Sequence, residues 1–442
     1  MDLLFKNGTV VTMNGEREVL TAADVLVEDG RIAKIGRGLK PGGKVHRVVD
    51  CTGQVILPGF IHGHLHVCQT LFRNQADGLE LLDWLRERIW PMEAAHDADS
   101  LRASADLSFV ELIQSGATAA LDMGTVRHQD AIFESADDAG FRLTSGKAMM
   151  DAGQGLPAGL RETTEQSLTE SRRLIQKWHG QANGRLQYAL APRFVLSCTE
   201  ALLRAVAEDA KTLGVRIHTH ASESPAECDT VRQKTGMDNV AYLHSLGLSG
   251  PHVTLAHCVW LTAQEQRLLR ETRTVVCHCP SSNLKLASGI AKIPELLADG
   301  VTVALGADGA PCSNNLDMFT ELRLAALLHK PRVGPTGMPA QTVLEMATLG
   351  GAKALGLEKE IGSLEVGKRA DLISVDLRRA HALPGNADVV SQLVYSGHAS
   401  DVRNVAVGGV LLMRERVLTT LDEPEILERA VKHAKRIAEA VG

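Results

Sequence analysis

Pro58-Gly59-Phe60-Ile61-His62-Gly63-His64-Leu65-His66 follows the apolar run Val55-Ile56-Leu57. That run reads as a buried strand, so the histidines are expected where the strand gives way to a loop. In an extended chain, residues two apart point to the same side. His64 and His66 can therefore reach one common point, as two imidazole ligands of a metal ion must.

Outward from this strand the pattern alternates. Strand candidates fall at 55–61, 118–122, 141–144, 186–191, 215–220, 253–257, 274–278 and 302–306. Helical periodicity at 101–115, 163–178, 200–213, 263–270 and 294–299 separates most of them. Eight β units with intervening helices predict an α/β chain built as a (β/α)8 barrel rather than a doubly wound sheet. The Gly-rich fingerprint of a dinucleotide fold is missing after the first strand.

Both ends of the chain read differently. Short strand-like runs near 3–5, 9–13, 24–27 and 31–35 are broken by Asn7-Gly8, Asn14-Gly15 and Asp29-Gly30, which are turn signals. Similar runs return at 371–375, 402–407 and 410–413. The two ends are expected to pair into a small β-sandwich: 1–57 as its N-terminal part, 58–360 as the barrel, and 361–442 as its C-terminal part. A last helix over about 423–441 carries Ile426, Leu427, Ala430, Val431 and Ala434 at helical spacing.

Composition narrows the class. The 442 residues are 44% hydrophobic and 23% charged, with few aromatics and a net charge of −6. Nothing here calls for nucleic-acid or membrane-surface binding. No apolar run is long enough for a membrane span, and Met1-Asp2-Leu3-Leu4-Phe5-Lys6 does not read as a secretory leader. Eight scattered cysteines without a C-x-x-C pair read as reduced, mostly buried thiols of a cytoplasmic protein.

Active sites of such barrels lie at the C-terminal ends of the strands. Read in order, those ends give His64 and His66, then His218-Thr219-His220-Ala221-Ser222-Glu223, then His257-Cys258, His278-Cys279, and Ala307-Asp308-Gly309. His64, His66, His220 and Asp308 are the expected ligands of one divalent ion. Three imidazoles and a carboxylate leave a position for water, as in a catalytic rather than a closed site. Zn2+ is the first expectation, and Fe2+ suits the same donors. A bound ion lowers the pKa of its water to about 7. Glu223, just past His220, then suits a proton shuttle to a leaving amine. Asp308 is expected to accept a hydrogen bond from the attacking water, and His257 to steady it or polarise the substrate. His218 reads as structural, and His278 is open between substrate contact and scaffold.

These motifs resemble the amidohydrolase superfamily, in its aminohydrolase branch of purine, pterin and triazine deaminases and chlorohydrolases. The resemblance spans essentially the whole chain. It also rests on Ala256-His257-Cys258-Val259, Pro280-Ser281-Ser282-Asn283-Leu284-Lys285-Leu286, Ser313-Asn314-Asn315 and Gly362-Ser363-Leu364-Glu365-Val366-Gly367-Lys368-Arg369-Ala370-Asp371-Leu372. It implies a distorted barrel, a sandwich from both termini, a single zinc or iron ion and a homo-oligomer. Two-metal members usually carry a bridging lysine on strand four. Here that strand ends in Ala191-Pro192-Arg193, while Lys147 follows strand three. The position of His62 is more often Asn or Asp in relatives, so its role is open.

For the substrate the resemblance points two ways. Gln69-Thr70-Leu71-Phe72-Arg73, Asp83-Trp84 and 313–328 are similar to deaminases of 5′-modified adenosines: methylthioadenosine, S-adenosylhomocysteine or 5′-deoxyadenosine. There an acidic residue before the tryptophan contacts ribose hydroxyls, which makes Asp83 a candidate. Gly146-Lys147-Ala148-Met149-Met150-Asp151 and Pro192-Arg193-Phe194 resemble guanine deaminase instead, where positions matched by Arg193 and Gln69 contact the oxopurine. A small heterocyclic substrate is the expectation, a 5′-modified adenosine first, with guanine, a pterin or a triazine as alternatives. A scaffold without activity is disfavoured by retention of every ligand, and the zinc deaminases with a C-x-x-C signature are excluded.

Overall fold

The computed structural model describes residues 2–40, 47–385 and 388–442. Five strands come first: β1 (Leu3–Val11), β2 (Val19–Glu28), β3 (Arg31–Gly36), β4 (Arg47–Asp50) and β5 (Val55–Pro58). The barrel strands are β6 (Phe60–His66), β7 (Ala117–Met123), β8 (Arg142–Gly146), β9 (Ala148–Met149), β10 (Leu186–Pro192), β11 (Arg216–Ala221), β12 (Val253–His257), β13 (Val275–His278), β14 (Val303–Leu305) and β15 (Asp308–Gly309). The chain then returns to the first sheet with β16 (Leu372–Val375), β17 (Val402–Val407), β18 (Val410–Arg414) and β19 (Val417–Leu418).

The inner sheet runs β14-β13-β12-β11-β10-β8-β7-β6-β15, with β9 beside β10. Its pairs are parallel. β14 and β15 are two halves of one eighth strand. The first half bonds to β13 and the second to β6, so the sheet closes into the distorted α/β barrel that the strand count predicts. Closure is tight: a Cβ on Gly306 would sit 2.7 Å from the carbonyl oxygen of His64 and 3.0 Å from Cys277 Sγ. His62, whose role the sequence leaves open, braces this seam by accepting the Ala307 N–H at Nδ1 (3.3 Å).

The expected strand at 55–61 is two strands. β5 belongs to the terminal sheet, between β1 and β16. β6 starts only at Phe60, so His62, His64 and His66 lie within a barrel strand rather than in a loop after one. The handover is at Gly59, where a Cβ would fall 2.1 Å from Thr118 Cγ2 on β7. No other residue fits there without displacing β7.

The terminal strands form the order β19-β18-β17-β16-β5-β1-β2-β3, with β4 on β1. β1 pairs with β4 along its first half and with β5 along its second. The two leaves that diverge there enclose their own core of Leu3, Phe5, Val25, Ile56, Leu372 and Leu411. The outer face of the second leaf (Val402, Val405, Leu412) joins the barrel core. A buried ion pair of Arg142 and Asp371 (2.6 and 3.0 Å) ties β8 to the entry of β16. The helix Glu423–Val441 buries Ala430 and Ile437 in a second apolar cluster that also holds Phe72, Trp84, Trp90 and Phe194. All eight cysteines are buried and free. Among the described residues no helix is long and apolar enough to cross a membrane.

Candidate metal and catalytic site

Four strand ends converge. β6 supplies His64 and His66, β11 supplies His218 and His220, β12 ends in His257, and β15 opens with Asp308. Hydrogen bonds set the ring tautomers. Nδ1 of His66 donates to the Met123 carbonyl (2.8 Å) and Nδ1 of His220 to the Arg193 carbonyl (2.7 Å). A carbonyl only accepts, so each Nε2 is left as a bare lone pair. These two lone pairs face each other at 3.2 Å.

His64 is held from behind by His218 (Nδ1 to Nε2, 2.8 Å), and its buried Nε2 has no hydrogen-bond partner. That atom lies 3.2 Å from Asp308 Oδ1, and His66 Nε2 lies 3.5 Å from the same oxygen. Facing lone pairs repel unless a positive charge lies between them. A tetrahedral ion with metal–nitrogen bonds of about 2.0–2.1 Å would set its ligand atoms roughly 3.3 Å apart. The donor set therefore fits a divalent cation. Burial drops His66 to about 3 and holds His220 well below the usual imidazole range, which favours the neutral, ligating form.

Asp308 is oriented by Ser282 Oγ (2.6 Å) and the Gly309 N–H (2.6 Å). Burial alone would raise its carboxyl, but His64, His257 and His66 hold it well below the carboxylate range. His257 pairs through Nδ1 with Asn283 Oδ1 (2.8 Å), so one short helix, Pro280–Lys285, positions both groups. His257 Nε2 faces Glu223 Oε2 at 3.5 Å and Asp308 Oδ2 at 3.8 Å. Burial pulls this imidazole down, yet the Glu223 and Asp308 carboxylates leave it raised. Burial pushes the Glu223 carboxyl up to about 7, a value suited to giving and taking a proton near neutrality.

The backbone contributes too. Ser222, His257 and Asp308 have φ of 54°, 71° and 64°, in the left-handed region that costs a non-glycine residue about 1–3 kcal/mol. His257 ends β12, Ser222 directly follows β11 and Asp308 opens β15, and of the three His257 and Asp308 line the cleft. The Ser222 carbonyl is pinned by the N–H groups of Val259 (2.9 Å) and Trp260 (3.0 Å).

These groups open onto one cleft. His66, His220, Glu223, His257 and Asp308 form its polar wall, and Leu81, Trp84, Leu85, Phe194 and Leu286 its apolar one. Of the expected substrate contacts, Trp84 and Arg193 line it. Gln69 does not: it stands behind Arg193, donating to Glu93 Oε1 (2.8 Å), and Glu93 grips the Arg193 guanidinium at 2.6 and 3.1 Å. Asp83 sits at the rim with its side chain 59% exposed, paired with Arg86 at 3.3 Å. His278 is buried away from the cleft, its ring 5.5 Å from that of His329. Lys147 is locked by Glu162 (2.7 and 2.9 Å). Glu93 and Glu227 escape the sequence pattern, whereas Ser282 and Asn283 lie within the Pro280–Leu286 motif, which by itself assigns them no role.

Residues 55–412 match the amidohydrolase family. A 5-methylthioadenosine/S-adenosylhomocysteine deaminase of Moorella thermoacetica is 41% identical over 433 residues, 97% of this chain and 98% of that protein. A 5′-deoxyadenosine deaminase of Methanosarcina acetivorans is 39% identical over 437 residues, 99% of this chain and 98% of that one. The crystal structure of an adenosine deaminase from Xanthomonas campestris with bound zinc superposes with a TM-score of 0.92 at 31% identity, over 99% of both chains. The chain belongs to the amidohydrolase family.

Proposed function

We propose that this chain is a metal-dependent hydrolytic deaminase of a 5′-modified adenosine: 5′-deoxyadenosine, methylthioadenosine or S-adenosylhomocysteine. The observation that carries the reading is the pairing, across one cleft, of a converging three-imidazole pocket with a buried Glu223 carboxyl shifted to about 7. The names and full-length similarity of the two deaminase relatives support the substrate class.

His64, His66, His220 and Asp308 would hold the ion, with Zn2+ first. When bound, it supplies Lewis acidity that brings a water's pKa to about 7. Glu223 takes one proton from the water that attacks the purine carbon and delivers it to the ring nitrogen, then carries the second, from the hydroxyl now on that carbon, to the amino group that leaves as ammonia. His257, held by Asn283, aims Nε2 at the developing oxyanion. Asp308 orients the attacking water by accepting its hydrogen bond. Trp84, Leu85 and Phe194 exclude bulk water and give the heterocycle an apolar seat.

A second reading, deamination of an oxopurine such as guanine, is favoured by the Arg193 guanidinium on the cleft wall. Ammonia release by zinc-loaded protein from a panel of the three adenosines, guanine, a pterin and a chlorotriazine separates the readings. Turnover of the adenosines is expected. No turnover of any purine, with hydrolysis of the chlorotriazine, would sink the deaminase assignment.

A further inference from the structure

Glu227 lies on the first turn of the helix Pro225–Thr235, four residues past Glu223, and lines the same cleft. It is buried at 1% exposure. The Glu223 backbone N–H donates to Glu227 Oε2 (2.7 Å), and Asn239 Nδ2 donates to Oε1 (2.7 Å). An acid at this helical position ordinarily reaches back to the N–H of the cap residue. Glu265 does so to Thr262 elsewhere in this chain. Glu227 reaches one residue further, past the cap Ser224, to the residue that carries the carboxyl facing His257. Ser224 Oγ meanwhile accepts the Glu227 N–H (3.2 Å).

A second buried carboxylate beside Glu223 costs desolvation and like-charge repulsion, and helix capping alone does not require it. Its geometric effect is specific. The Ser222 carbonyl and the Glu223 N–H belong to one planar peptide unit, so the Val259 and Trp260 N–H groups hold that unit from one side and Glu227 holds it from the other. We infer that Glu227 is a positioning residue that clamps the Glu223 backbone so that the Glu223 carboxyl meets His257 and the cleft in one orientation. The inference rests on the reading of Glu223 as proton carrier. The titratable groups facing Glu223 are His257, Asp308 and Glu227, and Ser288 Oγ donates to it at 3.3 Å. Burial raises Glu223 most, and the charges of Asp308 and Glu227 add in the same direction while His257 opposes them.

The test is steady-state deamination by Glu227→Gln and Glu227→Asp beside thermal melts. Glu227→Gln keeps the size, but loses the charge and one of its two acceptors. Its kcat is expected to fall roughly 10- to 100-fold, with KM within about twofold, and the acid limb of its pH profile to move to lower pH. Glu227→Asp, which keeps the charge, is expected to recover part of kcat and leave the limb in place. Wild-type kcat and an unmoved limb in folded Glu227→Gln overturn the inference. So does a loss fully matched by the fraction unfolded. Should Glu227→Gln not fold, Asn239→Ala frees Oε1 and is expected to lower kcat without moving the limb; wild-type kcat there overturns the inference as well. A Glu223→Gln variant that keeps turnover removes the proton-carrier reading itself; an inactive one beside an unaffected Glu227→Gln removes only the role of Glu227.

Discussion

The Nε2 atoms of His66 and His220 face one another at 3.2 Å, with the proton of each ring committed to a backbone carbonyl. Such a pair is a poor apo structure and a good ligand set. One equivalent of Zn2+ is expected by elemental analysis, close to none in His220→Ala, and a lower melting temperature after chelation. A site saturated a thousandfold above Kd adds about 4 kcal/mol. His218→Ala removes the ring that steadies His64 and is expected to weaken zinc binding about 10- to 100-fold in competition titrations.

Glu223→Gln retains size and hydrogen-bonding reach but cannot take a proton. Its kcat is expected to fall about 10²- to 10⁴-fold with the fold unchanged by circular dichroism. In the wild type the carboxylate form must accept the proton of water. Turnover should therefore climb as pH rises through the Glu223 value of about 7, and this limb should vanish in whatever activity the variant keeps.

Arg193 and Glu93 are both buried and joined by two hydrogen bonds. Removing one partner strands a charge in the interior, so Arg193→Met is expected to cost about 3–5 kcal/mol in urea denaturation. Arg193→Met combined with Glu93→Gln should recover much of that loss. A single variant as stable as the double one would show that Glu93 finds another partner or a proton.

Glu321 supports the helix Pro280–Lys285 by accepting the Ser281 N–H at Oε2 (3.1 Å), while its buried Oε1 has no partner. Burial pushes this carboxyl up to about 8. An acid whose folded value is raised binds its proton more tightly in the folded state, so its contribution is present at low pH. It is lost as pH rises from the ordinary glutamate range to about 8. Glu321→Gln is therefore expected to raise the melting temperature by a few degrees at pH 8.5 and by less at pH 5.

The barrel was legible because its strands are short apolar runs at regular intervals and its chemistry sits at their ends. The expected ligand set rests on residue type at four strand ends, on strand parity for His64 and His66, and on Glu223 for preferring His220 to His218. What escaped was tertiary. The boundary between β5 and β6 depends on Gly59 pressing against Thr118, which no local pattern announces. Asp83 shares a helical turn with Leu81 and Trp84, yet only those two face the cleft. Gln69 and Arg193 meet only through Glu93, an acid whose partner lies 100 residues away. Asn283 and Ser282 stand in a motif that carries the family resemblance, but their places behind His257 and Asp308 emerge only in the fold.

The run from Val55 to His66 is one extended path shared by two sheets. Its first third is stitched between β1 and β16, and its last residues grip the metal pocket. The chain termini thus act as an external splint on the innermost strand. A fusion or trimming that disturbs β1 is expected to be felt at His64 before it is felt in the rest of the barrel.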